Sequence, residues 1–111
     1  MKFYDEERMA PIRAALEAGM RTWPGVAPKE MMGCLVYVRG KRFFAFLVTG
    51  GIVITKLPEA DRAGLAARPG AKPFEMSERT ATKWVQVPVK KPADLGPLLP
   101  YIRKSYEASG R

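Results

Sequence analysis

The chain contains no histidine among its 111 residues. Histidine is the commonest general base and the commonest metal ligand near neutral pH, so its absence disfavours the catalytic and metal sites built on it. The sequence also lacks a nucleophile-elbow motif, a glycine-rich phosphate loop and paired cysteines. The eleven carboxylates show no spacing that predicts a catalytic pair. We therefore expect a protein that is not an enzyme and that carries no metal and no cofactor.

Cysteine and long apolar runs are scarce as well. Cys34 is the single cysteine, which excludes an internal disulfide and is typical of a reducing cytoplasm. Its sequence neighbours are apolar, so a buried structural role is favoured over a reactive thiol. The longest apolar run, 43–48, is too short to cross a bilayer, and the acidic start of the chain shows no secretion signal. These features predict a cytoplasmic protein without membrane association.

Acidic residues are few: 11 Asp and Glu stand against 19 Lys and Arg, which gives a formal net charge of +8. The excess is uneven, because residues 31–57 carry four basic side chains and no acidic one. A basic balance of this kind suits an anionic partner such as nucleic acid. The alternative interpretation is that the charge serves solubility alone.

Residues 34–57 are rich in Val, Ile, Phe, Tyr and Thr, the side chains that fit a pleated and half-buried surface. Glycines in the turns 39–41 and 49–51 are typical of tight hairpins. This pattern predicts an antiparallel meander with strands at 34–38, 42–48 and 52–56. A short or edge-like strand is expected near 26–32, and a later hairpin at 74–77 and 82–89 with its turn at 78–79.

Segments with helical periodicity lie before and after the predicted strands. Met9, Ile12, Leu16 and Met20 form one apolar stripe of a first helix over 4–20, in which Pro11 is expected to cause a kink. A short helix is expected over 58–67. The last helix, over 94–109, presents a second stripe, made of Leu95, Leu98, Leu99, Ile102 and Tyr106. The expected fold is a single α+β domain over 1–111, with a predominantly antiparallel sheet covered by the N- and C-terminal helices in two layers.

Three segments carry a family resemblance. Residues 31–41 resemble the Met-Phe-Gly-Gly, apolar strand, Asp-Gly-Lys pattern of the TfoX N-terminal domain family (TfoX/Sxy). Residues 67–76 are similar to the Ala-Arg-Pro-x-Ala-x-Pro-Met-x-Met segment of its small members, and residues 83–87 to its Gly-Trp-Leu-x-Val strand. Residues 104–107 are similar to the C-terminus of the related MmcQ/YjbR-like proteins. The chain departs from the pattern at Met32, Cys34 and Arg39.

The resemblance implies an α+β domain of the kind found at the N-terminus of bacterial regulators of competence gene expression. Those regulators carry a second, C-terminal domain, which this chain is expected to lack. The resemblance supplies no catalytic residues. It therefore favours a small non-enzymatic regulatory module that acts by binding.

Basic hairpins are the candidate site for that binding. Arg39, Lys41 and Arg42 place three charges at one hairpin turn, an arrangement like a DNA-binding wing that contacts phosphates. The complete candidate set for nucleic-acid binding is Arg39, Lys41, Arg42, Lys83, Lys90 and Lys91. Core packing is favoured for Trp84 over base stacking. Two alternatives remain open at this point, a dimerising protein–protein module that binds no nucleic acid and a small-ligand binder. The oligomeric state is not predicted.

Overall fold

The computed structural model describes residues 3–31, 33–76 and 79–110, except for the side chains of 75, 76 and 79–82. The expected turn at 78–79 and the end of the first strand at 32 therefore lie partly outside the described residues. Within the described part, six strands and three α-helices follow one another along the chain, with one 3₁₀ helix, Pro92–Leu98, before the last α-helix. Their order is α1 (Glu6–Gly19), β1 (Val26–Met31), β2 (Cys34–Arg39), β3 (Arg42–Val48), β4 (Gly51–Ile54), α2 (Glu59–Ala66), β5 (Lys72–Met76), β6 (Arg79–Pro88) and α3 (Leu99–Ser109).

The six strands form one antiparallel sheet in the order β1-β2-β3-β4-β6-β5. The predicted meander is confirmed, and both of its turns contain two residues. Gly40 and Gly50 have φ angles of 65° and 81°, the left-handed region that glycine enters without the steric cost of a Cβ. The late hairpin joins the meander through β6, which pairs with β4.

The helices cover one face of the sheet. Met9, Ile12 and Leu16 of α1 are buried against this face, as are Leu65 of α2 and Ile102 of α3. The sheet contributes alternate residues from the same side of its strands, namely Leu35, Tyr37, Leu47, Ile52, Ile54, Val85 and Val87. This confirms the α+β class and the position of the terminal helices on the sheet.

The opposite face has a core of its own, covered by the β5–β6 hairpin. Val85 pairs with Ile54, the last residue of β4, so the preceding part of β6 runs past the end of that strand. The register shifts between Pro73 and Phe74, and the Phe74 ring lies 5.0 Å from the Phe46 ring on β3. The hairpin thus closes over a second buried cluster that contains Cys34, Val36, Val38, Phe46, Val48, Val53 and Phe74.

Two helices differ in detail from the prediction. Asp5 caps α1 by accepting hydrogen bonds from the backbone N–H groups of Glu7 and Arg8, and α1 continues through Pro11 to Gly19. The predicted helix over 94–109 is divided into the 3₁₀ segment and α3. Leu99 is only partly buried, because the change of helix type rotates it away from the stripe. No helix in the described part of the chain is long and apolar enough to cross a membrane.

Candidate functional site

Strand register decides which of the predicted basic residues come together. Arg39 and Arg42 are cross-strand partners that close the β2–β3 turn, and Lys41 lies in that turn. Val85 of β6 pairs with Ile54, the last residue of β4. Lys83 precedes Val85 by two residues in the chain, so it lies past the end of β4, at the same end of the sheet as the β2–β3 turn. Four of the six candidate residues therefore share one end.

Lys90 and Lys91 lie at the other end. Pro88 pairs with Gly51, and the N–H of Val89 donates to the carbonyl of Gly50 in the β3–β4 turn. The length of β3 separates the two ends by about 20 Å, at roughly 3.3 Å per residue. The two lysines thus belong to a different surface from the other four candidates.

Lys56 belongs to the first group although it was not among the predicted site residues. The N–H of Thr55 donates to the carbonyl of Phe44 at 3.3 Å, which continues the ladder past the end of β4. The next residue, Lys56, is then level with Phe43, and its ammonium lies 5.3 Å from the centre of that ring. In the sequence, Lys56 could have been found from its position near the end of residues 31–57, which contain no acidic side chain.

We define the basic rim as this end row, formed by Arg39, Lys41, Arg42, Lys56 and Lys83. Its members come from four neighbouring strands or their immediate extensions. Strands in a sheet lie about 4.8 Å apart, so the row is about 14 Å wide. Lys41, Arg42 and Lys83 are exposed, whereas Arg39 and Lys56 are partly exposed.

The turn of the rim does not project from the molecule. Val26 of β1 pairs with Arg39, so the neighbouring strand reaches as far as β2 does. Gly40 also donates its N–H to the carbonyl of Gly25, at 3.4 Å. The projecting, wing-like hairpin expected from the sequence is therefore a short turn that ends level with the neighbouring strand β1.

Arg39 is held against α3. Its Nη1 donates to the carbonyl oxygen of Tyr106 at 3.2 Å, and its guanidinium carbon lies 4.3 Å from the centre of the Tyr106 ring. A guanidinium has five N–H donors in a rigid fork, so one hydrogen bond leaves it able to contact an anion. The contacts fix where that charge lies.

A further cation extends the positive surface onto α3. The guanidinium of Arg103 lies 5.0 Å from the Tyr106 ring and 5.1 Å from the Trp23 ring. Its Nε is 3.4 Å from a carboxylate oxygen of Glu107, an exposed pair on the same helix. Arg39 and Arg103 thus share one aromatic ring, which connects the rim to the helical side of the molecule.

Two aromatic rings border the rim on the other side of the sheet. Phe43 and Trp84 meet edge to face, with ring centres 5.4 Å apart and planes at 88°. Trp84 also packs on Phe46 at 5.6 Å, which supports its predicted packing role. Both rings at the rim are nevertheless partly exposed. Aromatic surface therefore lies directly beside the ammonium of Lys56.

Cys34 lies in an environment that suppresses the reactivity of its thiol. Cys34 is buried, and this burial raises the pKa of its thiol to about 11, which confirms the predicted structural environment. Within the described residues, no group of three or more His, Cys, Asp or Glu side chains could hold a metal ion. The rim itself offers charge and hydrogen-bond donors, the features that bind an anion.

The sheet offers little apolar surface to a protein partner. A buried core lies against each of its faces, β1 is exposed over most of its length, and Met31 is the one large hydrophobic side chain among those described that is exposed, at 41%. Each edge strand carries a proline, Pro28 in β1 and Pro73 in β5. Proline removes a ladder donor and so disfavours pairing with a further strand.

The space between the sheet and α3 is filled by side chains. Phe44, Ile102 and Tyr106 pack there, and the hydroxyl of Ser105 bonds to the backbone. A surface groove of about 310 Å³ lies between α2 and β5, with Arg62 and Lys72 among its lining residues. These side chains occupy the region between the sheet and α3, where a polar pocket would favour a small-ligand binder.

Comparisons of the chain with protein-family models, with curated proteins and with solved structures find no match.

Proposed function

We propose that the protein is a small, non-enzymatic binding module that holds nucleic acid through phosphate contacts at the basic rim. The observation that carries the proposal is the alignment of Lys56 and Lys83 with the Arg39–Arg42 turn on neighbouring strands. Scattered surface lysines would serve solubility equally well, whereas a row of cations at one sheet end can follow a phosphate backbone. The resemblance to the TfoX N-terminal domain supports a bacterial, cytoplasmic regulatory role for such a module.

The side chains of the rim favour phosphate contact over base reading. All five are Lys or Arg, and none is the Asn or Gln that recognises adenine through paired hydrogen bonds. Binding is therefore expected to have little sequence preference and to weaken steeply with salt, because each phosphate contact releases condensed counterions.

The experiment compares two variants of equal net charge. The rim variant carries Lys41→Gln, Lys56→Gln and Lys83→Gln. The control carries Lys72→Gln, Lys90→Gln and Lys91→Gln, three lysines outside the rim. Fluorescence anisotropy with labelled oligonucleotides of about 20 nucleotides, single-stranded and duplex, is measured at several salt concentrations.

We expect the rim variant to lose affinity and the control to bind nearly as the parent does. The slope of log K against log salt should fall by up to about 2 to 3 in the rim variant, since each phosphate contributes roughly 0.7 for single strands and 0.9 for duplex. No binding of either oligonucleotide by the parent at low salt would refute the proposed function. Equal losses in the two variants would show that net charge, and no defined site, governs binding.

A further inference from the structure

We infer that the basic rim takes single-stranded nucleic acid in preference to duplex, with bases stacked on the aromatic rings beside it. This inference rests on the proposed function and specifies the class of ligand. It depends on two observations, the shape of the rim and the aromatic side chains that border it.

The shape of the rim is unsuited to entering a duplex groove. The β2–β3 turn ends level with β1 because Val26 pairs with Arg39, and it contains only Gly40 and Lys41. The rim itself contains no helix, since its five residues lie on β2, β3 and β6, in the β2–β3 turn and in the extension of β4. A projecting wing or an exposed recognition helix is what duplex-reading proteins insert into the major groove, and the rim presents a level edge instead.

Aromatic side chains lie next to cations on both sides of this end of the sheet. Trp23 lies 5.1 Å from the guanidinium of Arg103, and Phe43 lies 5.3 Å from the ammonium of Lys56. Trp84 stands 5.4 Å from Phe43, on the side of the sheet opposite to Trp23. Proteins that bind single strands combine such cations, which follow the backbone, with rings on which unpaired bases stack. Paired bases in a duplex are already stacked and present no free face.

The rings are also held in place before any ligand binds. Trp84 contacts Phe46 edge to face, with planes at 78°, and Phe46 is fully buried. Phe43 is flanked by Trp84 and by the Lys56 ammonium. A preorganised platform loses little side-chain entropy on binding, so a base can stack on it without ordering the protein first.

The first measurement is the affinity ratio of the parent protein. Labelled dT20 and a 20-base-pair duplex are titrated at the same low salt concentration, followed by anisotropy and by intrinsic tryptophan fluorescence. We expect dT20 to bind about tenfold more tightly or better, with quenching of tryptophan emission as bases stack. Equal or tighter binding of the duplex would overturn the inference while leaving the proposed function intact. Failure to bind either oligonucleotide would refute the proposed function itself.

The second measurement removes a ring without changing charge. Phe43→Leu keeps an apolar side chain at the rim, and the matched control Phe3→Leu changes a partly buried aromatic at the other end of the sheet, where Phe3 bonds to Gly33 and Thr49. Phe43→Leu should weaken dT20 binding about threefold or more with an unchanged salt slope, and Phe3→Leu should not. Equal affinities in both variants would overturn the stacking role. Thermal unfolding of each variant confirms that the comparison is made on folded protein.

Discussion

The hydroxyl of Ser105 donates a hydrogen bond to the carbonyl oxygen of Phe44 at 2.6 Å. Phe44 is the extra residue of a bulge, because Val38 pairs with Phe43 and Tyr37 pairs with Ala45. The same hydroxyl accepts the N–H of Lys56 at 2.9 Å. One side chain of α3 therefore completes the backbone hydrogen bonding where β3 and the extension of β4 separate, next to the basic rim.

Ser105→Ala should destabilise the protein by about 1–3 kcal/mol, since it leaves the part-buried N–H of Lys56 without its partner and the carbonyl of Phe44 with only the N–H of Thr55. The measurement is the urea midpoint at neutral pH. Ser109→Ala is the control, because Ser109 is equally buried but bonds to Tyr106 within its own helix. A Ser105→Ala midpoint equal to that of the parent would contradict the role assigned to this hydroxyl.

The stripe of α3 allows a comparison of two positions. Ile102→Ala removes a fully buried side chain and should cost about 2–5 kcal/mol, the usual range for such a truncation. Leu99→Ala should cost less, because Leu99 is partly exposed at the junction with the 3₁₀ helix. Denaturant unfolding of both variants measures the difference. Equal losses would mean that Leu99 belongs fully to the core.

Tyr37 should make the fold sensitive to alkaline pH. Its side chain is buried and its hydroxyl donates to Glu17 Oε2 at 2.8 Å, and burial followed by this hydrogen bond raises its pKa above the ordinary value of about 10. The unfolded state then releases the phenolic proton first, so this contribution to stability is complete below about pH 10 and is lost as the pH rises above it.

The Tyr37→Phe variant tests this expectation. At pH 7 it should be less stable than the parent by about 1 kcal/mol, the net worth of a typical hydrogen bond. Between pH 9 and 11.5 its stability should fall less steeply than that of the parent. Urea midpoints across this range provide the measurement. Parallel pH profiles of the two proteins would show that Tyr37 does not couple to folding.

Cys34 should react slowly with a thiol reagent. The thiolate is the reactive form, and burial both raises its pKa to about 11 and blocks access. The rate of reaction with Ellman's reagent at pH 8 should be at least about a hundredfold lower in the native protein than in 6 M urea. Comparable rates would indicate that the second core opens readily.

Local patterns were sufficient to predict the strands and helices in outline, although not the division of the last helix into a 3₁₀ segment and α3. The β-branched run and its two glycine turns predicted the meander over 34–57, and the stripe from Met9 to Met20 predicted α1. The covering of the second sheet face was not predicted. It depends on the bulge at Pro73–Phe74 and on contacts between Phe74 and Phe46, which join residues far apart in the chain.

The candidate site was predicted only in part for the same reason. Arg39, Lys41 and Arg42 are neighbours in sequence, so their proximity follows from one turn. Lys83 joins them, and Lys90 does not, because β6 pairs with β4 in a particular register. Periodicity along one strand carries no information about its register with a distant partner. Lys56, in contrast, is placed by the local β3–β4 turn, which sets it level with Phe43.

The strand order also affects how the protein is made. β4 pairs on its far side with β6, and α2 and β5 lie between them in the chain. A chain growing on the ribosome therefore exposes the outer edge of β4 until β6 has emerged, and this edge is apolar, with Ile52, Val53 and Ile54. An unpaired strand edge of this kind recruits other chains. Slow synthesis through residues 59–88 would prolong that exposure, so codon choice in this interval bears on the yield of folded protein.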